Sequence, residues 1–422
     1  MKKFDVAVIG GGLAGLTTAV FLGKAGKSVV LLEKANVLGG RAITVNKNGV
    51  KLNLGPHAIF KGGEAYAIHK ELGITLQGGS PTNQGGFALW HNKLHPLPLG
   101  PITILTSKLL TLAGKLEFGR FMIKLGRINA TAIPNISLRD WAENVIKDPM
   151  VRHIFYAICR TSTYASDPDN QYASLTLKQV QRALKDNVLY VDGGWEIIVT
   201  GLREQAINAG VTLLNHKHVT TIEHDDKVRE LLFSDGEKLE VPTVVVTMGP
   251  EEACKLVKDA ASTSLRQWAD QIVPIKGVCL DLGLRRLPNA ANNFAFGLDQ
   301  PVFYTNQSRA AKLSDDGTIV VHLIKYAGKE SGDPKSTEKE LEQTMDILQP
   351  QWRKEVVARQ FLPHMTTTYT QTIPGASGPG PAVPQVKGLY VAGDWAGHGE
   401  MLADAAMASG KRAAQAILMA KV

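Results

Sequence analysis

The chain has 422 residues, of which 44% are hydrophobic and 20% are charged, as in ordinary globular proteins and unlike disordered ones. This length exceeds what one compact core usually holds, so we expect two domains. The formal net charge of +8 comes from basic residues that are spread out without interleaved aromatic residues. We therefore expect no nucleic-acid partner.

The cysteines and the chain start bear on cellular location and on metal binding. The cysteines lie far apart and show no metal-ligand spacing; they are Cys159, Cys254 and Cys279. We therefore expect no disulfide framework and no metal site, and a reducing cytoplasm is the expected compartment. The basic start lacks an uninterrupted apolar stretch and a cleavage site, so we expect no signal peptide.

The first element is a strand, a glycine-rich turn, a helix and a second strand. The apolar run 6–9 leads into the turn, and the β-branched run 29–32 ends at an acidic residue. This βαβ context is the dinucleotide-binding fingerprint, in which glycines let a pyrophosphate approach the helix start and the acid accepts hydrogen bonds from a ribose. The fingerprint alone does not separate FAD from NAD. The predicted cofactor-binding residues here are Gly10, Gly12, Leu13, Ala14, Gly15, Glu33 and Lys34.

A second glycine-rich turn follows directly at residues 38–41. Gly40 allows the backbone to approach a ligand closely, and Arg41 can direct a fork of donors to a pyrophosphate. We predict that both residues bind the cofactor. The alternative is an ordinary surface turn with a solvated arginine.

The stretch 97–128 combines apolar residues at helical spacing with an excess of positive charge. Five basic residues stand against one acidic residue between positions 101 and 130, a local charge of +5 − 1 = +4. One interpretation is a basic amphipathic helix that lies on an anionic membrane surface. The other is a helical domain that buries one apolar face and leaves its basic back in water.

The last segment reads as a buried strand followed by a helix from about Leu402 to Leu418. The strand leads into Gly393 and Asp394, and in doubly wound sheets ligands lie at the carboxyl ends of strands. Asp394 can accept hydrogen bonds from ribityl hydroxyls, or it can act as a simple turn cap. A helix that starts near Met401 can face a flavin ring and stabilise negative charge there. Gly393, Asp394, Met401 and Leu402 are predicted to bind the cofactor.

These three motifs together resemble the flavin-containing amine oxidase superfamily, which includes monoamine oxidases, protoporphyrinogen oxidases and phytoene desaturases. The resemblance implies FAD as the cofactor. It also implies that Gly55, Pro56 and His57 form a turn near the isoalloxazine and that Val219 contacts the adenine. The segment 192–195 is similar to the entry into the second FAD-binding segment. No cysteine lies in the terminal FAD segment, so we expect noncovalent FAD.

The predicted fold class is α/β, with a doubly wound Rossmann-like FAD-binding domain of the glutathione-reductase type and an interleaved mixed α+β substrate domain. We expect a glycine-rich boundary at residues 77–86 and an ordered crossover at residues 374–381. The FAD-binding domain is predicted at 1–75, 191–255 and 371–422, and the substrate domain at 76–190 and 256–370.

The resemblance favours an FAD-dependent oxidoreductase that removes hydride from a C–H or C–N centre of a lipophilic substrate, as in the phytoene desaturase and protoporphyrinogen oxidase branches. The alternatives are an amine or amino-acid oxidase that releases hydrogen peroxide, and a redox-silent FAD-binding isomerase or binding protein. In the register that fits best, Leu280 stands where many amine oxidases have a lysine and Lys276 comes four residues early. No aromatic residue follows Trp395, and both departures argue against monoamine chemistry.

The sequence predicts the catalytic residues and the partners less precisely than it predicts the cofactor. No catalytic base is assigned, because flavin dehydrogenation needs mainly positioning and exclusion of water. We expect a small lipophilic substrate, dioxygen or a quinone as the electron acceptor, and a cytoplasmic protein with peripheral contact at the inner face of the membrane as an option. Candidate cavity groups are His57, His91, His95, His153, Tyr156, Tyr164, Lys325 and Tyr326.

Overall fold

Short β-branched runs and amphipathic segments fold into alternating strands and helices. The structure is a computed structural model that describes residues 3–328, 332–371 and 378–420. Its strands are β1 (Val6–Ile9), β2 (Val29–Leu32), β3 (Thr44–Lys47), β4 (Val50–Asn53), β5 (Ile59–Phe60), β6 (Gly78–Gly79), β7 (Gly86–Trp90), β8 (Lys93–Pro96), β9 (Val188–Val191), β10 (Thr212–Leu214), β11 (Val219–His224), β12 (Val228–Phe233), β13 (Lys238–Glu240), β14 (Val244–Val246), β15 (Ile272–Leu284), β16 (Phe294–Gly297), β17 (Val302–Asn306), β18 (Ile319–Tyr326), β19 (Val356–Gln371) and β20 (Leu389–Val391).

The helices lie between these strands in chain order. They are α1 (Leu13–Lys24), α2 (Glu64–Glu71), α3 (Pro101–Thr106), α4 (Leu112–Leu125), α5 (Leu138–Val145), α6 (Pro149–Thr163), α7 (Ala173–Asp186), α8 (Glu196–Asn208), α9 (Pro250–Leu256), α10 (Ser264–Gln271), α11 (Pro334–Leu348) and α12 (Leu402–Met419). Over the described residues, no helix combines the length and apolar character that crossing a bilayer requires.

A five-stranded parallel sheet forms the first layer, with strand order β10-β2-β1-β14-β20. Val8 packs with α1, α8 and α12 on one face, and Ala7 packs with β11 and β12 on the other. Burial on both faces explains why these strands are continuously apolar. The strands come from the beginning, the middle and the end of the chain, and this arrangement confirms the predicted doubly wound fold.

A seven-stranded mixed sheet forms the second large layer, with strand order β19-β15-β18-β17-β16-β7-β8. Its pairs are antiparallel except for β16 with β7. Helix α11 packs on one face through Leu341 and Met345. Residues of α4, α5, α6 and α7 form a second core on the other face. The predicted mixed α+β unit is confirmed, while the exact domain boundaries stay a prediction.

The structure describes the glycine-rich boundary at residues 77–86 in full and the crossover at residues 374–381 only in part. Gly78 and Gly79 form β6 and pair with β9. Residues 374–377 of the expected crossover lie outside the described residues. The described part leads directly to the last strand of the parallel sheet, where the Val391 N–H donates to the Pro381 carbonyl at 2.7 Å.

Replacing Gly15 with alanine tests the packing of α1 on the turn after β1. A Cβ atom at Gly15 would lie 1.9 Å from the Gly10 carbonyl oxygen, so the helix would have to shift. We expect Gly15→Ala to lower the free energy of unfolding by about 1–3 kcal/mol, the usual range for overpacking. Denaturant unfolding monitored by circular dichroism measures this change.

Gly119→Ala is the matched control, because Gly119 is also helical and a Cβ there meets nothing within 4 Å. This control should be stabilising by about 0.5–1 kcal/mol, the ordinary gain for alanine in a helix. Equal changes in the two variants would contradict the packing argument.

Candidate functional site

The turn between β1 and α1 contains glycines that serve two different purposes. Gly10 has φ +106°, and a Cβ there would lie 2.5 Å from the Thr247 hydroxyl oxygen. Packing within the chain therefore requires Gly10 and, as shown above, Gly15. A Cβ at Gly12 would meet only the Gly39 carbonyl oxygen at 3.9 Å, and Gly12 lines a large cavity. The space beside Gly12 is thus available to a ligand.

The start of α1 faces the same cavity with unused backbone donors. Gly12 is the N-cap residue and provides no side-chain cap, and the first turn has no acidic residue. Leu13 and Ala14 also line the cavity. Free N–H groups and the positive end of the helix dipole make this start suited to a phosphate.

Glu33 directly follows β2 and lies beside this helix start. Its Oε2 accepts a hydrogen bond from the Gly11 N–H at 2.7 Å, and its Oε1 accepts one from the Ala35 N–H at 2.8 Å. Each carboxylate oxygen still has a free acceptor position, so the oriented carboxylate can receive ribose hydroxyls. Lys34 and Val219 line the same cavity.

Arg41 and Asp394 form a pair although they are far apart in the chain. The guanidinium donates two parallel hydrogen bonds, at 2.8 and 2.6 Å, to the two carboxylate oxygens. Thr368 donates a third hydrogen bond, at 2.9 Å, from its hydroxyl. The Asp394 side chain is 4% exposed and that of Arg41 is 47% exposed. Both line the cavity, and their predicted separate roles toward pyrophosphate and ribityl stay predictions.

The turn at residues 54–58 forms another part of the cavity wall. Pro56 and His57 line the cavity. The His57 Nδ1 lies 2.9 Å from the Gly55 carbonyl oxygen, and the ring contacts Trp195 edge-on with centroids 4.6 Å apart. Burial lowers the pKa of His57 because it disfavours the charged ring.

Helix α12 brings its first turn to the cavity. Its first residue, Leu402, has φ +59°, which is an uncommon conformation for leucine. Asp404 also lines the cavity; it accepts from the Ala65 N–H at 2.9 Å and pairs with Arg182 at 3.0 Å. Burial raises the pKa of Asp404 to about 6. The sequence analysis missed Asp404, because a single acid in an alanine-rich helix gives no motif.

The cavity has a volume of about 990 Å³, at the upper end of the range for ligand pockets. Residues 362–367 of β19, together with Thr247 and Tyr369, also contribute to its wall. No motif marked this part of β19. Three predicted residues do not line the cavity, namely Gly15, Gly55 and Met401. The predicted residues that do line it are Gly10, Gly12, Leu13, Ala14, Glu33, Lys34, Gly40, Arg41, Pro56, His57, Val219, Gly393, Asp394 and Leu402.

Of the candidate cavity groups, His57 and Tyr164 lie on the cavity wall. His91 instead pairs with Asp299, and Lys325 pairs with Glu340. His95, His153, Tyr156 and Tyr326 are not part of the wall.

Comparison with known proteins agrees with this geometry. The chain is 24% identical to the 15-cis-phytoene desaturase of Solanum lycopersicum over an alignment of 462 positions, gaps included, that spans 99% of this chain and 78% of that protein. A protein of Exiguobacterium sp. 255-15, assigned as a protoporphyrinogen oxidase, shares the fold with a TM-score of 0.73 at 16% identity over 99% of both chains. Putrescine oxidase bound to putrescine shares it with a TM-score of 0.75 at 15% identity, over 99% of this chain and 100% of that one.

The model of one protein family matches nearly the whole chain. Residues 13–418 match the family of flavin containing amine oxidoreductases. This match includes α1, the Arg41–Asp394 pair and α12 up to residue 418, all of which contribute to the cavity wall. The chain therefore belongs to the flavin containing amine oxidoreductase family and is an oxidoreductase.

Proposed function

We propose that the chain binds FAD noncovalently and removes hydride from a C–H or C–N centre of a lipophilic, largely uncharged substrate. The supporting observation is how polarity is distributed around the cavity. Charged residues such as Glu33, Lys34 and Lys217 surround the nucleotide fingerprint. The 54–58 turn, β5 and β19 contribute apolar residues to the wall beside the polar His57, Tyr164 and Thr366; the apolar ones are Leu54, Pro56, Ala58, Ile59, Phe60, Leu362 and Met365.

The residues present fit FAD. The uncapped start of α1 would hold the pyrophosphate, Glu33 would orient a ribose, and Val219 would contact the adenine. A bound flavin supplies the hydride-accepting chemistry, while the chain positions the substrate and excludes water. None of the three cysteines is among the cavity-lining residues, in agreement with noncovalent attachment.

The amine oxidase alternative has less support from the side chains. Leu280 packs in the core on the α11 side of the seven-stranded sheet, and Lys276 is exposed. Trp395 is buried, and its indole N–H donates to the Met248 carbonyl at 2.8 Å. None of these three side chains lines the cavity, so the groups expected to serve an amine are not there. The similarity to putrescine oxidase concerns the fold alone.

The redox-silent alternative differs in one measurable property, because its bound flavin would never be reduced by a substrate.

We propose dioxygen or a quinone as the electron acceptor, and the cytoplasm as the location. We also propose the predicted division into an FAD-binding domain and a substrate domain, in which the cavity lies against the parallel sheet.

We further propose that helices α3 and α4 contact a membrane surface. Helix α4 buries Phe118, Phe121 and Leu125. One face of this helix is therefore packed in the core, as expected for a helical domain that buries one apolar face. The same two helices leave five large apolar side chains 62–82% exposed; these are Ile102, Leu105, Leu112, Leu116 and Ile123. Basic residues intersperse them, a combination that suits an anionic lipid surface.

Replacing Gly12 with leucine tests the placement of the pyrophosphate. The Cβ of the new side chain would meet only the Gly39 carbonyl oxygen, at 3.9 Å, on the cavity side of α1 where the pyrophosphate is proposed to lie. We expect FAD affinity to fall by roughly a hundredfold or more, because binding would require displacing that side chain. The measurement is an FAD titration of flavin-free protein followed by the visible flavin band. Gly119→Leu, far from the cavity, serves as the control, and a fully yellow Gly12→Leu protein would contradict the placement.

Flotation with liposomes tests the membrane contact. The wild-type protein should float with vesicles that contain phosphatidylserine, and Leu105→Ser combined with Leu116→Ser should weaken this association by roughly tenfold or more. Leu184→Ser combined with Ile207→Ser is the matched control, because these two apolar side chains are also exposed but lie on α7 and α8, outside the proposed membrane-contacting helices. Wild-type protein that stays at the bottom with anionic vesicles would refute the proposal.

A further inference from the structure

Three neighbouring strands of the seven-stranded sheet place polar side chains in one row inside the protein. Asp281 of β15 lies opposite His322 of β18 and opposite Gln360 of β19. Asp281 and His322 are 0% exposed and Gln360 is 6% exposed. Burying such groups is unfavourable unless they are hydrogen-bonded, so this row requires a structural or functional reason.

Several donors converge on the Asp281 carboxylate. Cys279 Sγ lies 3.0 Å and His322 Nδ1 lies 2.6 Å from Oδ1, and the Gln360 amide donates to Oδ2 at 2.9 Å. Cysteine, aspartate and histidine are also metal ligands, but two ligands of one tetrahedral zinc lie about 3.3 Å apart. The 2.6 Å separation instead indicates a hydrogen bond, so the cluster is a hydrogen-bonded one.

Gln360 connects this cluster to the turn on the cavity wall. Its amide nitrogen also donates to the Asn53 carbonyl at 2.9 Å. The Asn53 side-chain oxygen in turn accepts a hydrogen bond from the backbone N–H of Trp195 at 2.9 Å and one from the Thr44 hydroxyl at 2.8 Å. Asn53 is the last residue of β4, directly before the turn.

The turn that follows has no strand partner of its own. Residues 54–58 form neither helix nor strand, so their carbonyls need other donors. Tyr164 donates from its hydroxyl to the Pro56 carbonyl, and Gln307 donates to the His57 carbonyl at 2.7 Å. Side chains from separate elements therefore hold the backbone that carries Pro56 and His57.

We propose that Asp281, acting through Gln360 and Asn53, is a positioning residue that fixes the 54–58 turn against the cavity. Asp281 holds Gln360 in the one orientation that donates to both the carboxylate and the Asn53 carbonyl. The row thereby determines where Pro56 and His57 stand. This inference rests on the proposed function in one respect: the turn faces the flavin only if FAD occupies the cavity.

Gln360→Met is the direct test, because methionine keeps the length of the side chain but removes both donors. In flavin-free protein, amide hydrogen exchange at the non-proline residues of the turn (Leu54, Gly55, His57 and Ala58) should become roughly tenfold faster or more. The reason is that Asn53, directly before the turn, is no longer hydrogen-bonded to β19. In protein loaded with FAD, the visible flavin band should shift relative to the wild type.

Tyr304→Phe is the matched control. Tyr304 is buried in the same sheet, but it packs in the core on the α11 face and bonds Gln349 at 3.1 Å. It should lower stability without changing exchange at residues 54–58 or the flavin band. Cys279→Ser keeps a donor to Asp281 and should resemble the wild type.

The possible outcomes are distinct. Faster exchange at residues 54–58 in Gln360→Met, with no change in Tyr304→Phe, supports the positioning role. Wild-type exchange and a wild-type flavin band in a folded Gln360→Met protein overturn it. If Gln360→Met does not fold, Asp281→Leu provides the test, because leucine keeps the shape of the side chain but removes the acceptor that orients Gln360. Unchanged exchange at the turn in that variant would count against the proposal. Failure of the wild type to bind FAD would refute the proposed function, while the exchange comparison would still test the role of Asp281.

Discussion

The close contact between α1 and the turn after β1 is the constraint on which the site depends. β1 lies in the middle of the parallel sheet, and Gly15 lets α1 approach the Gly10 carbonyl. The last helix is fitted to the first in the same way. A Cβ at Gly410 would lie 2.5 Å from the Ala14 carbonyl oxygen, and the Thr18 hydroxyl donates to the Gly410 carbonyl at 3.1 Å. Two glycine contacts thus bring the two ends of the chain together around one cavity.

The same cavity combines two different kinds of wall, and each is built by a different physical means. The wall formed by the start of α1 and Glu33 offers backbone N–H groups and an oriented carboxylate, which suit phosphate and ribose. The other side uses an irregular turn at residues 54–58 with mainly apolar surroundings. An irregular turn has few backbone partners, so the side chains of Tyr164 and Gln307 bond its carbonyls, and Gln360 bonds the Asn53 carbonyl directly before it.

Local motifs were predictable from the sequence and long-range pairs were not. Gly10, Gly12 and Glu33 form a short-range pattern, and in the structure all three line one cavity, while their binding of a cofactor stays a prediction. The Arg41–Asp394 pair joins positions 353 residues apart. The row around Asp281 depends on the register of three strands, which no local pattern specifies. The exposure of the apolar side chains of α4 could not be predicted either, because a helical period does not tell which face of the helix is covered.

The visible spectrum of the purified protein, recorded before and after addition of FAD, tests the central claim most directly. If the uncapped start of α1 and Glu33 bind an FAD nucleotide, the protein is yellow or becomes yellow on reconstitution. Anaerobic addition of a carotenoid precursor or a porphyrinogen should then bleach the flavin band, and an amine panel should not. A folded protein that stays colourless and cannot be reconstituted with FAD would contradict the account.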